Sequence, residues 1–293
     1  MQGFNSIGEI INESYDAGKV QYTSFRKTPA ITTTRGVWFD LSMSPGTPRP
    51  NYYTIGNDLT STPFNDVLID NNAVDYRRGI YHGQSVGNKY IHKIGITSNS
   101  ASVAPATFML CDYLMYYPFI DMDNISTQTF INNCLLPRYA NGIGVKAFLV
   151  ATNPYIGGAS FQLTYLNSDD EIKTTIVHTS NLLGNITTII SSGTTVTTNS
   201  GPFLQLNLTD KGIKSCIDIT FLGGNGGLAS LVLVKPLATI LLRENTATSE
   251  TDFVYELPSL PKVYDGAYLN FLCLPNGNSA SANIIGDITT IWK

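Results

Sequence analysis

Residues 159–179 read ASFQLTYLNSDDEIKTTIVHT. Phe161, Leu163 and Tyr165 alternate with Gln162 and Thr164, a period of two that puts one set of side chains on each face of a strand. SDDE (168–171) supplies polar turn residues, and EIKTTIVHT (171–179) carries the chain back. The stretch therefore reads as a β-hairpin.

The same pattern extends outward in both directions. Upstream lie VQYTSFR from Val20, GVWFDLS (36–42), RGIYH (78–82), KYIHKIGITS (89–98), ATFMLCDYLMYY (106–117) and VKAFLVAT (145–152). Downstream lie SCIDITFL (215–222), LASLVLVK (228–235), ATILLRE (238–244), DFVYEL (252–257), YLNFLCL (268–274) and ANIIGDITTIW (282–292). GGNGG (223–227) between two of these runs predicts a second hairpin. Amphipathic helices between the strands are missing, which excludes a Rossmann fold or a TIM barrel. Two short helices are expected. One covers residues 5–17, where Phe4, Ile7, Ile10 and Ile11 recur at helical spacing before Gly18. The other covers residues 126–135. The predicted fold is all-β, a β-sandwich or jelly roll with short N-terminal and mid-chain helices. Residues 1–19 form the N-terminal helical segment, and 20–293 a single β-rich domain. Pro45 to Asp75 is Pro-rich and then polar, which predicts an extended loop or arm.

The chain has 293 residues, of which 14% are charged and 43% hydrophobic, with a formal net charge of −4. A typical soluble domain carries about 25% charged residues. The acidic balance and the lack of basic runs longer than the pairs Arg26–Lys27 and Arg77–Arg78 argue against an electrostatic nucleic-acid partner. Cys111, Cys134, Cys216 and Cys273 are widely spaced, so no zinc ribbon or CxxC redox pair is expected. Buried, reduced thiols made in a reducing cytosol fit better. Neither a signal peptide nor an apolar run of membrane-spanning length is visible, so no membrane is expected as a partner.

Little in the sequence assembles chemistry. His82, His92 and His178 sit in strands without metal-ligand spacing, and the one GxSxG spelling, GQSVG (83–87), leads into the strand run KYIHKIGITS rather than a helix, so it makes no nucleophile elbow. Asp121-Met122-Asp123 is too short to specify a metal, and GGNGG lacks the following helix that a phosphate cradle needs. Neither catalytic residues nor a cofactor are expected. Tyrosines are more informative. There are 16 of them, many clustered, as at Tyr52–Tyr53 and Tyr116–Tyr117. Tyrosine supplies large contact area with a polar tip and suits interfaces. With the arm, this makes Arg49, Tyr52 and Tyr53 the expected interface residues.

Several blocks resemble one another's counterparts in a known group. They are GVWFDLSMSPGTPRPNYY (36–53), RRGIYHG (77–83), LCDYLMYYPFIDMD (110–123), LPRYANGIGV (136–145), GPFLQL (201–206), LVLVKPLA (231–238) and DGAYLNFLCLP (265–275). Their order and wording are similar to tailed-bacteriophage virion structural proteins. The resemblance implies a non-enzymatic virion component, made in the host cytoplasm, in the head or at a head–tail junction. Its partners would be copies of itself and other virion proteins, the major capsid protein among them. Without a long helix, a capsid decoration, cement or minor head role is expected over the main shell role. Two rivals stand beside it. One is a carbohydrate- or receptor-binding virion protein, with Tyr52, Tyr53 and Tyr81 as a stacking platform and Asp121 with Asp123 as a carboxylate pair. The other is a head–tail adaptor ring protein.

Overall fold

The computed structural model describes residues 3–64, 79–83, 87–182, 184–192, 201–257 and 259–293. Along the chain, β1 (Val20–Lys27), β2 (Phe39–Asp40), β3 (Gly46–Thr47) and β4 (Thr62–Pro63) precede the long β5 (Lys89–Ser98) and β6 (Ala106–Asp121). Next come β7 (Gln128–Thr129), β8 (Lys146–Ala151), β9 (Ser160–Asn167), β10 (Ile172–Thr174) and β11 (His178–Thr179). The order ends with β12 (Ile213–Phe221), β13 (Leu228–Leu242), β14 (Ser249–Asp252), β15 (Lys262–Val263), β16 (Tyr268–Leu274) and β17 (Ile284–Trp292). These strands form three antiparallel sheets, and the fold is all-β.

The first sheet runs β14-β5-β17-β1-β3, the second β10-β9-β12-β7, and the third β2-β16-β6-β13-β8. The third is the common layer. The paired strands β6 and β13, of 16 and 15 residues, are long enough to serve two cores. Leu114, Tyr117, Ile120, Leu231 and Leu233, at one end of the pair, pack with Phe161, Leu163, Tyr165 and Ile219 of the second sheet. Phe108, Leu110, Ile240 and Leu242, at the other end, pack with Ile91, Ile94, Ile284 and Ile288 of the first sheet. A third cluster includes Trp38, Tyr53, Phe64, Tyr113, Phe148 and Tyr268. Strands covered on both faces explain why FMLCDYLMYY is apolar except at Asp112 rather than alternating. By contrast β9, in the quoted stretch, alternates strictly between buried and half-buried residues.

The hairpin of residues 159–179 is present: β10 and β11 both return antiparallel to β9. The N-terminal helical segment is present too, as α1 (Ile7–Ile10) continued by a π-helical turn over Ile11–Asp16. Ser6 caps it by accepting from the Glu9 amide at 3.1 Å, and Gly18 at φ +70° ends it. A second short helix, α2, spans Phe253–Glu256, where DFVYEL (252–257) is expected as a strand; Asp252 caps it by accepting from the Val254 amide at 2.9 Å. Among the described residues no helix is long and apolar enough to cross a membrane.

Three further expectations need correction. First, residues 126–135 form no helix; Gln128–Thr129 is strand β7, paired with β12. Side chains here compete successfully with helical hydrogen bonds. The Gln128 amide clamps Asp121, accepting from its N–H at 3.0 Å and donating to its carbonyl at 2.7 Å. Asn132 donates to the Cys216 carbonyl at 2.8 Å. Second, GGNGG (223–227) closes no hairpin. It carries the chain from β12 in the second sheet to β13 in the third.

Third, residues 45–64 do not project as an arm. β3 pairs with β1, β4 pairs with β6, and the buried Lys27 ammonium donates to the carbonyls of Ser42, Ser44 and Pro48 at 3.4, 3.2 and 2.7 Å. Burial pushes Lys27 down to about 7. Residues 65–75 of the expected arm lie outside the described residues.

Candidate interaction surface

Of the three expected interface residues, Arg49 and Tyr52 are exposed and Tyr53 is not. Tyr53 is 1% exposed and packs edge-on against Phe64 and Tyr116. Its hydroxyl donates to the buried Asp40 carboxylate, which also accepts from Tyr113 Oη at 2.7 Å and from Ser42 Oγ and N at 2.9 Å each. Burial raises the Asp40 carboxyl, against the opposing effect of those donors. A phenol whose hydroxyl meets a buried carboxylate is held in the core, so Tyr53 can join neither an interface nor a stacking platform.

The histidines are likewise committed internally. His82 is buried between the Ala267 carbonyl at 2.9 Å and the Lys89 ammonium at 3.0 Å, and Lys89 reaches Asp265 at 2.7 Å. Burial first, and then the Lys89 charge, push His82 down to about 4. His178 is buried against Phe161 and is pushed to about 4 by burial. His92 accepts or donates at 2.5 Å to Tyr15 Oη, tying the N-terminal segment to β5. Cys111, Cys216 and Cys273 are buried free thiols, and Cys134 is half-buried. No group of metal-ligating side chains occurs among the described residues.

What the structure does assemble is a surface at one end of β6 and β13. Four loops meet there, over residues 121–127, 153–159, 180–182 with 184–186, and 222–227. Their tie is the side chain and backbone of Asn225, which is 1% exposed. Asn225 Oδ1 accepts from the Ala159 amide at 3.0 Å and stands 2.6 Å from Ser180 Oγ. Its N–H donates to the Met122 carbonyl at 3.0 Å, and its carbonyl accepts from Ile156 and Gly157 at 2.8 and 3.1 Å. Asp123 adds a second tie, its Oδ1 accepting from Gly226 N at 2.8 Å. Within the Asp-Met-Asp triplet, Asp121 Oδ1 accepts from Asp123 N at 2.9 Å, so both carboxylates have backbone partners. The glycines are needed for the close approach: Gly227 has φ +78°, and a Cβ there would lie 2.5 Å from the Pro154 carbonyl oxygen.

Each loop presents one aliphatic side chain to solvent. Ile125 is 63% exposed, Ile156 69%, Leu182 58% and Leu222 60%. Singly exposed aliphatics are ordinary on a protein surface, but several gathered on one ordered cluster mark an interaction site. The loops carry Asp121 and Asp123 and no Lys or Arg. Sequence reading could not find this surface, because its residues come from four separate stretches that only the folded chain brings together, through Asn225, Asp123 and backbone bonds between the loops.

No family model and no curated protein matches the chain. Among solved structures, the infectious bursal disease virus Gt strain shares 9% identity over 94% of this chain and 81% of that chain, at a TM-score of 0.16. The infectious bursal disease virus VP2 subviral particle shares 8% identity over the same fractions, at a TM-score of 0.14. At those values the likenesses carry no structural argument.

Proposed function

We propose that this chain is a structural component of a virus particle, acting through contacts with copies of itself and with other virion proteins rather than by catalysis. The observation that carries the reading is the ordered loop cluster around Asn225 with its four exposed aliphatic side chains. Covering a partly exposed aliphatic side chain contributes on the order of 1–2 kcal/mol. Four covered together offset part of the roughly 4–15 kcal/mol that association costs. Because the loops are already tied, little further ordering is required on docking. The low charge of the chain suits a surface that neighbours cover, since desolvating charges is costly.

The resemblance of seven sequence blocks to tailed-phage virion proteins supports a finer placement, as a capsid decoration, cement or minor head protein beside the major capsid protein. The internal use of Tyr53 takes one of the three tyrosines out of the stacking platform on which a carbohydrate-binding role would rest, leaving Tyr52 and Tyr81. Quantitative mass spectrometry of density-purified particles tests the proposal. The chain should co-purify at a fixed copy number relative to the major capsid protein. Recovery only in the soluble lysate, with none in particles, would overturn it.

A further inference from the structure

At the other end of β6 and β13, a depression of about 370 Å³ is lined by Pro105, Ala106, Thr107, Leu241, Leu242, Leu274 and Pro275 and flanked by Arg35 and Arg243. It is more than twice the roughly 150 Å³ cavity that holds a benzene ring, so it has room for more than one aliphatic side chain. Leu241 on its floor is 57% exposed. Both arginines are exposed and no residue lining the depression is acidic. Leu241 and Arg243 also line an adjoining depression, which they share with Glu244, Glu250 and Glu256, so Arg35 is the cation that stands clear of acidic neighbours there.

The two surfaces are complementary in both respects that matter. One displays four exposed aliphatic side chains, carries Asp121 and Asp123, and has no cation in its loops. The other is concave and apolar between two cations. They border opposite ends of the same pair of long strands, so one copy can use both at once.

We propose that copies of this chain associate head to tail, the Ile125, Ile156, Leu182 and Leu222 end of one copy seating in the Arg35–Arg243 depression of the next. This rests on the reading that the protein works through contacts with its own copies, and it names the two faces that meet. Because the faces differ, each added copy leaves one of each open, and association continues into a ring or a filament. A twofold dimer is not the expected product.

Sedimentation velocity on the full chain tests this. The wild-type chain should form species larger than a dimer, weakening as salt rises because exposed charges flank the contact. Ile156→Glu with Leu222→Glu should abolish assembly, and so should Arg35→Glu with Arg243→Glu. An equimolar mixture of the two double variants should give a one-to-one dimer and nothing larger, since each retains the face that the other lacks. All four positions are exposed, and circular dichroism melts matching wild type confirm the fold. Leu182→Glu and Leu241→Glu repeat the test at independent positions. A wild-type chain that stays monomeric, variants that still assemble, or a mixture that stays monomeric would each overturn the head-to-tail contact. If the variants still join particles at wild-type copy number, the contact is wrong while the virion role stands. Absence of the wild-type chain from particles removes the role itself.

Discussion

Tyr113 and Asp40 stand 73 positions apart in the chain, yet the Tyr113 hydroxyl donates to Asp40 Oδ1 at 2.7 Å inside the core. Tyr53 donates to the other carboxylate oxygen, so one buried acid pins the 40–53 segment to the long strand β6. A hydrogen bond to a charged group contributes about 1.5–3 kcal/mol. Tyr113→Phe should therefore lower unfolding free energy by about 2 kcal/mol in urea titration. Tyr53→Phe should do the same, and the double variant should depart from additivity because both act on one carboxylate. A loss near zero for either single variant would show that Asp40 is not held as described.

A second expectation concerns pH. His82 and His178 are both pushed down to about 4, chiefly by burial. A histidine whose folded pKa lies below its unfolded value near 6.5 favours the neutral form in the fold. Between those values the unfolded chain binds more protons, so stability is full above about 6.5 and is lost as pH falls toward 4. Each histidine contributes on the order of 3 kcal/mol to that loss. Thermal melts from pH 7 down to 4 should show the decline, and His178→Phe should flatten roughly half of it. A pH-independent melt over that range would contradict the burial of both rings.

The third concerns the loop cluster. Asn225→Ala removes the acceptor for the Ala159 amide and the partner of Ser180 Oγ. Unpaired buried groups cost about 1–3 kcal/mol each, and the melting temperature should fall by several degrees. Hydrogen exchange should accelerate at Gly158 and Ala159 while β6 and β13 keep their protection. Uniform acceleration across the chain would mean that Asn225 supports the whole fold rather than this end of it.

The all-β class was legible because period-two patterning is a local signal: Phe161, Leu163 and Tyr165 face inward as their spacing requires. Connectivity was less legible. Five residues of Gly and Asn suit a hairpin turn or a passage between layers equally well, and nothing in GGNGG says that β12 pairs with β9 instead of β13. The helix expected at 126–135 failed because Gln128 and Asn132 bond to Asp121 and Cys216, partners visible only once the sheets are in place. Tyr52 and Tyr53 look alike in the sequence. Only the buried Asp40 separates the exposed one from the core one.

The last expectation concerns Arg138, whose Nε and Nη2 donate to the two carboxylate oxygens of Asp112 at 2.8 and 2.7 Å. Both side chains are nearly inaccessible, at 7% and 0%. Asp112 also accepts from the Tyr268 amide at 3.0 Å, and Arg138 donates to the Tyr113 carbonyl at 2.9 Å. Burial raises the Asp112 carboxyl while Arg138 opposes that rise. Removing one partner of a buried pair strands the other charge, which costs about 3–5 kcal/mol, whereas replacing both with apolar groups is often close to neutral. Here the Tyr268 amide would lose its acceptor in Asp112→Leu, so the double replacement should retain a cost of about 1–3 kcal/mol. Arg138→Met should thus destabilise by about 3–5 kcal/mol, and Asp112→Leu with Arg138→Met should recover part of it. Urea unfolding of the two single variants and the double variant closes the cycle. A double variant as unstable as the sum of the singles would show that the two residues contribute independently and that the ion pair is not what joins 138 to β6.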